Sequence, residues 1–256
     1  MTGLTILGII IICFLIYKRT RKNPAYTPPG NTTGILQQHV GFYRNLLPPQ
    51  KQLFEARVKD FLAHVRITGI GVEVEDLDRI LVAAGAIIPI FGFKDWKYNN
   101  ISEVLLYSNT FNKEDYRTEG KDRNVLGMVG DGAMNRQMIL SKPSLRSSFS
   151  SDNDGHNTVI HEFTHLLDKA DGSVDGVPEY MLSKPYIIPW VKEIHDTIQE
   201  MRQGEINDIN LYGATNPAEF FAVVSEYFFE KPEQLKENHP ELYNMLERMF
   251  NTSPGN

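Results

Sequence analysis

His161-Glu162-Phe163-Thr164-His165 lies within a stretch, 157–169, whose apolar residues recur at helical spacing. On a helix, positions i and i+4 share a face, so both imidazoles can reach one ion. Neutral imidazole is a good zinc ligand. Glu162, next to the first histidine, can take a proton from water held at such an ion. Val159 and Ile160 lead in, and Phe163, Leu166 and Leu167 supply an apolar wall that keeps such a site dry. With three fixed positions in five, the pattern also arises by chance. The competing reading is two ordinary histidines and a surface glutamate on a helix.

A catalytic zinc site needs a third protein ligand and an open position. Downstream, Asn216-Pro217-Ala218-Glu219 is a good helix start, with Asn at the cap, Pro at the first turn and Glu at the third position. By itself Glu219 reads as a cap. Glu226, two turns on, shares its face among Phe220, Val223, Val224 and Phe228. Two carboxylates on an apolar face are costly to bury unless something pairs with them, and a metal with its histidines would. Glu219 is then the ligand and Glu226 the partner of a ligand histidine, or the reverse.

The rest of the composition narrows the chemistry. The 256 residues hold seven histidines and one cysteine, which excludes an intrachain disulfide and any multi-cysteine metal site. The 41% apolar and 23% charged residues permit a sizeable core. The net charge of −6 disfavours direct nucleic-acid binding. His156 is off the helical face of His161, and His39, His64, His195 and His239 stand alone as ordinary surface or core residues. Asp168, Asp171 and Asp175 lack the ligand density of a calcium loop.

The single cysteine, Cys13, sits in an apolar run, 4–17, followed by Lys18, Arg19, Arg21 and Lys22. Taken as a helix from Thr2 to Tyr17 it spans roughly 24 Å against a ~30 Å hydrocarbon core, short but coverable by thinning and snorkelling. The basic cluster follows the run rather than preceding it, which favours an uncleaved anchor with the following domain on the cytoplasmic side. Residues 1–22 carry +4, which leaves −10 on the remainder. Residues 1–22 are thus expected to be a membrane helix with a basic collar, 23–34 a Pro/Gly-rich tether, and 35–252 one domain.

Within that domain the pattern predicts helices over 50–65, 76–90, 157–169, 187–202, 217–229 and 232–250, and strands over 103–108 and 137–141. Residues 144–157 read as a polar loop. The expected class is α+β, mostly helical with a small sheet, and the strand at 137–141 is read as an edge to which an extended peptide could add.

These motifs resemble a known family, the zinc-dependent peptidases of the Mlc titration factor A type, with a gluzincin-like site related to the anthrax lethal factor catalytic domain. The resemblance covers nearly the whole region after the tether, and its most specific stretch runs from Tyr212 through Asn216–Val223 to Ser225–Phe229. It implies a zincin-like fold and one zinc ion held by His161, His165 and Glu219. It further implies Glu162 as general base and Tyr212 as an oxyanion donor. One departure is Ser141-Lys142, where the family usually has Ser-Trp.

Two functions follow as expectations. The first is a membrane-tethered zinc metallopeptidase acting on a peptide or protein. The second is a non-enzymatic, metal-stabilised module that captures a regulatory protein, since the family's eponymous member is associated with a transcriptional repressor. An intact Glu162 favours the first, because a structural site needs no base.

Overall fold

Asp76–Ile90 is the most thoroughly buried helix, with every side chain from Ile80 to Ile90 inside. It organises the computed structural model, which describes residues 28–110, 127–129, 136–150 and 155–251. Helices α1 (Thr32–His39), α2 (Gly41–Arg44) and α3 (Pro48–His64) precede strand β1 (Arg66–Ile70), and Asp76–Ile90 is α4. Strands β2 (Glu103–Tyr107), β3 (Gly127–Val129) and β4 (Gln137–Ser141) follow. The rest is helical: α5 (Lys142–Ser147), α6 (Thr158–Asp168), α7 (Lys184–Gln203), α8 (Pro217–Glu230), α9 (Pro232–Asn238) and α10 (Pro240–Asn251).

Both ends of α4 are held by cations from neighbouring helices. At its start, fully buried Asp78 meets Arg146 at 2.9 Å and Lys142 at 3.0 Å, and Lys142 also pairs with Glu75 at 2.7 Å. Lys142, the departure from the family pattern, is thus turned onto α4. At its end, Arg57 donates to the carbonyls of Ile90, Phe91, Phe93 and Lys94, groups that no helical N–H reaches. Midway, Gly85 lets α6 come close: a Cβ there would lie 2.3 Å from Val159 Cγ1.

The sheet has the order β1-β2-β4-β3 among the described residues; the first three strands are parallel and β3 is antiparallel to β4. Glu103 on β2 ties three strands together, accepting from Arg66 and Thr68 on β1 and from Gln137 on β4. Burial would raise its pKa, but these three donors outweigh it and hold the carboxyl below its usual range.

The architecture is α+β, as expected, with five differences of detail. The strand at 137–141 is not an edge, because it pairs on both sides; the outer strand beside it is β3. The sequence reading missed β1 and β3, which have little apolar alternation: on β1 only Ile67 is buried. The polar loop at 144–157 begins with the last turn of α5. The expected helix 232–250 breaks at His239, since Pro240 cannot continue it and instead starts α10. The sequence reading placed no helix at α1 or α2, and residues 32–34, read as the end of a tether, begin α1.

The expectation of a single-pass membrane protein requires correction. Among the described residues no helix is long and apolar enough to cross a membrane, and the run at 4–17 lies outside them.

Candidate metal centre

Three short elements carry the site, and an asparagine starts each. Asn157 caps α6, its side chain accepting from Ile160 N at 3.1 Å. Asn210 caps a 3₁₀ turn, Leu211–Ala214, by accepting from Tyr212 N at 3.0 Å. Asn216 caps α8 by accepting from Glu219 N at 3.0 Å. The backbone of Glu219 therefore serves the cap, while its carboxylate is turned to the histidines.

Glu219 Oε2 lies 3.0 Å from His161 Nε2 and 3.4 Å from His165 Nε2, and the two Nε2 atoms are 3.2 Å apart. On the other side of the ring, His161 Nδ1 is 2.6 Å from Glu226 Oε1. A carboxylate only accepts, so Nδ1 carries the hydrogen and Nε2 presents its lone pair to the centre. Two ring nitrogens and a carboxylate oxygen thus converge, and a cation must sit among them or one nitrogen must hold a proton. The set is the only one among the described residues able to hold a metal, and its donors are ones that suit zinc. In the metal-free chain a proton takes this role. Burial alone would lower the His161 pKa, but Glu219 and Glu226 overcome it and raise it to about 10. Burial of Glu219 would raise its pKa, but its contacts with His161 and His165 hold it well below the usual carboxylate range.

Glu226 makes a second bond, accepting from Asn157 N at 2.7 Å. Asn157 Nδ2 in turn donates to Glu230 Oε1 at 2.7 Å and to Ser148 O at 3.1 Å. One buried network thus joins α8 to the start of α6. At the other end of α6, Asp168 Oδ2 accepts from Gly176 N at 2.8 Å. Gly176, at φ 77°, is also pressed against Pro217 O, where a Cβ would come within 2.2 Å, and its carbonyl accepts from Trp190 Nε1 at 2.7 Å. The loop therefore locks the end of α6 to the beginning of α8.

Glu162 is 5% exposed, on the floor of a cleft of about 1170 Å³ that His161, His165 and Glu219 also line. Burial raises its pKa, and the neighbouring histidines offset this in part. Tyr212 stands on the cleft wall, half exposed, its ring 6.0 Å from that of His161. Burial, then Glu219 and Glu162, raise its phenol pKa. The β3 strand forms another wall through Gly127, Met128 and Val129. All six residues singled out from the sequence thus come together: His161, His165 and Glu219 at the centre, Glu226 behind His161, and Glu162 and Tyr212 in the cleft.

The sequence reading did not find Asn157, Asn210 or Gly127, and it set His156 aside as a ligand, which the geometry bears out. The asparagines carried a usable signal, each standing just before a helical pattern or turn. His156 reaches the cleft, with Nδ1 3.3 Å from Asn210 Nδ2. Nothing in the sequence places Gly127 near Glu162.

The sequence profile of the glucose-regulated metallo-peptidase M90 family matches residues 15–251. An uncharacterised protein of Synechocystis sp. is 32% identical over 237 residues, 88% of this chain and 85% of that protein. Mlc titration factor A of Escherichia fergusonii is 29% identical over 84% of both chains, and that of Serratia proteamaculans 33% over 61% of this chain and 62% of that protein. With that match along almost its whole length, the chain belongs to the glucose-regulated metallo-peptidase M90 family.

Proposed function

We propose that the chain is a zinc-dependent peptidase in which Glu162 is the general base. The observation that carries this reading is the meeting of His161 Nε2, His165 Nε2 and Glu219 Oε2 beside a buried glutamate at the floor of an open cleft. His161, His165 and Glu219 hold the zinc, and Glu226 orients His161 by fixing its tautomer. When bound, zinc supplies Lewis acidity, making water nucleophilic near neutral pH and polarising a carbonyl oxygen. Glu162 takes the proton of the attacking water on its carboxylate and can pass it to the departing amine. Its raised pKa suits a group that must both accept and give up a proton. The Tyr212 hydroxyl donates to the carbonyl oxygen as negative charge builds, an interaction strongest in the transition state. An extended peptide pairs by backbone hydrogen bonds with β3, the outer strand among the described residues and one that lines the cleft.

The name of these relatives, Mlc titration factor A, supports a second reading, in which the same chain binds a regulatory protein. Glu162→Gln separates the two. It is expected to keep zinc and to lower peptide hydrolysis by about 10²–10⁴-fold. Hydrolysis at the wild-type rate, measured on purified protein with stoichiometric zinc, would sink the peptidase reading. A wild-type chain that holds zinc and cleaves no peptide would favour the binding module.

A further inference from the structure

Gly127 stands on β3 directly over Glu162. A Cβ built at 127 would lie 2.7 Å from Glu162 Cγ, 2.7 Å from its Oε1 and 2.9 Å from its Cδ. Such separations are well inside van der Waals contact, so any side chain at 127 must displace the glutamate. Gly127 belongs to an extended strand, so the backbone does not itself call for glycine. What the position requires is room. Glu162 has few alternatives: it is 5% exposed, and its helix is pinned by Gly85 against Val159 on one side and by Asn157 at its start.

We propose that Gly127 is a positioning residue for the base, the bare Cα of the outer strand forming the wall that sets where the Glu162 carboxylate points. This rests on the peptidase reading and deepens it. The strand that lines the cleft and the carboxylate that serves the reaction are in contact, so the placement of one dictates the other. A side chain at 127 pushes the carboxylate from its line to the attacking water, and displacements of about 1 Å in such geometry cost about 100-fold in rate.

The alternative role for a glycine here is to let substrate backbone approach, and the two roles predict different kinetics. The test is a double-mutant cycle on the full chain with Gly127→Ala, Glu162→Asp and the pair, since the shorter aspartate withdraws the atoms that a Cβ at 127 would strike. Three measurements are made: zinc per chain, the Tm of the metal-free protein, and kcat and KM on one fluorogenic peptide that the wild-type chain cleaves, drawn from a mixed-sequence pool. Gly127→Ala is expected to retain one zinc, lower kcat by about 100-fold and leave KM within about threefold. In the Glu162→Asp background the same alanine is expected to cost less than about threefold in kcat. In the metal-free protein, Gly127→Ala is expected to lower Tm by about 2–4 °C, and Glu162→Asp to recover it. This arm decides the contact even where the single variant loses zinc. A wild-type chain that binds zinc but cleaves no peptide in the pool overturns the peptidase reading and, with it, the role of Gly127. Hydrolysis by the wild type with Gly127→Ala unchanged, with the loss confined to KM, or with the penalty undiminished in the aspartate background overturns the Gly127 role alone.

Discussion

Glu226 Oε1 lies 2.6 Å from His161 Nδ1, the ring nitrogen opposite the one that meets Glu219 and His165. The two glutamates, two turns apart on α8, thus hold one imidazole from both edges. The same Glu226 accepts from the backbone of Asn157, where α6 begins. The orientation of the His161 ring and the start of α6 therefore share one buried carboxylate.

Replacing Glu226 by Gln leaves one oxygen for two donors. The amide nitrogen must then face either the His161 ring N–H or the Asn157 N–H. Metal affinity is expected to fall by about 10–100-fold, the usual cost of losing such a partner. Titration with zinc, following bound metal, checks this. Glu219→Ala should abolish stoichiometric zinc in the same assay, because it removes a donor outright.

Tyr212→Phe keeps the ring beside His161 and removes only the hydroxyl. The expected result is a fall in kcat of about 10²–10³-fold with KM little changed, as for the loss of an oxyanion donor. A change confined to KM would instead make Tyr212 a substrate-packing residue.

Gly85→Ala would ordinarily stabilise a helix interior by about 1 kcal/mol. Here a Cβ meets Val159 on α6, so a loss of about 1–3 kcal/mol is expected. Val159→Ala in the same chain should recover much of it, by denaturant unfolding. Additive penalties would show that the two helices do not meet at this point.

Asp168 is fully buried, and its Oδ1 has no hydrogen-bond partner among the described residues. Burial raises its pKa to about 6, against the Gly176 N–H that lowers it. Because the folded pKa is above the unfolded one, the native state binds the extra proton between about pH 4 and pH 6. The stability owed to this residue is therefore greatest in acid and is lost as pH rises through about 6. Asp168→Asn does not titrate, so the metal-free variant should gain on the wild type as pH goes from 4.5 to 7. An unchanged difference across that range would refute the assignment.

The helices were readable because burial repeats along them. Residues 76–90 and 217–229 show long apolar runs, and both form as expected, because each is surrounded by other elements. The strands were harder. Arg66–Ile70 buries only Ile67, and Gly127–Val129 is three residues long, too short for any alternation to register. The same limit made 137–141 look like an edge: with β3 unseen, nothing stood outside it. At the site, the convergence of His161, His165, Glu219 and Glu226 was legible because the spacing is local, i to i+4 on α6 and i to i+7 on α8. The contact of Gly127 with Glu162 joins distant positions by shape alone and leaves no mark in the sequence.

Asn157, Asn210 and Asn216 start the three elements that carry the centre. Aspartate caps a helix about as well as asparagine does. At these places it would add negative charge to a neighbourhood that already holds Glu162, Glu219, Glu226 and Glu230, each further anion making the others harder to keep ionised. Uncharged caps leave the electrostatic character of the centre to the glutamates alone. They also free its backbone from acidity, because an amide cap holds its helix equally well in acid and in base.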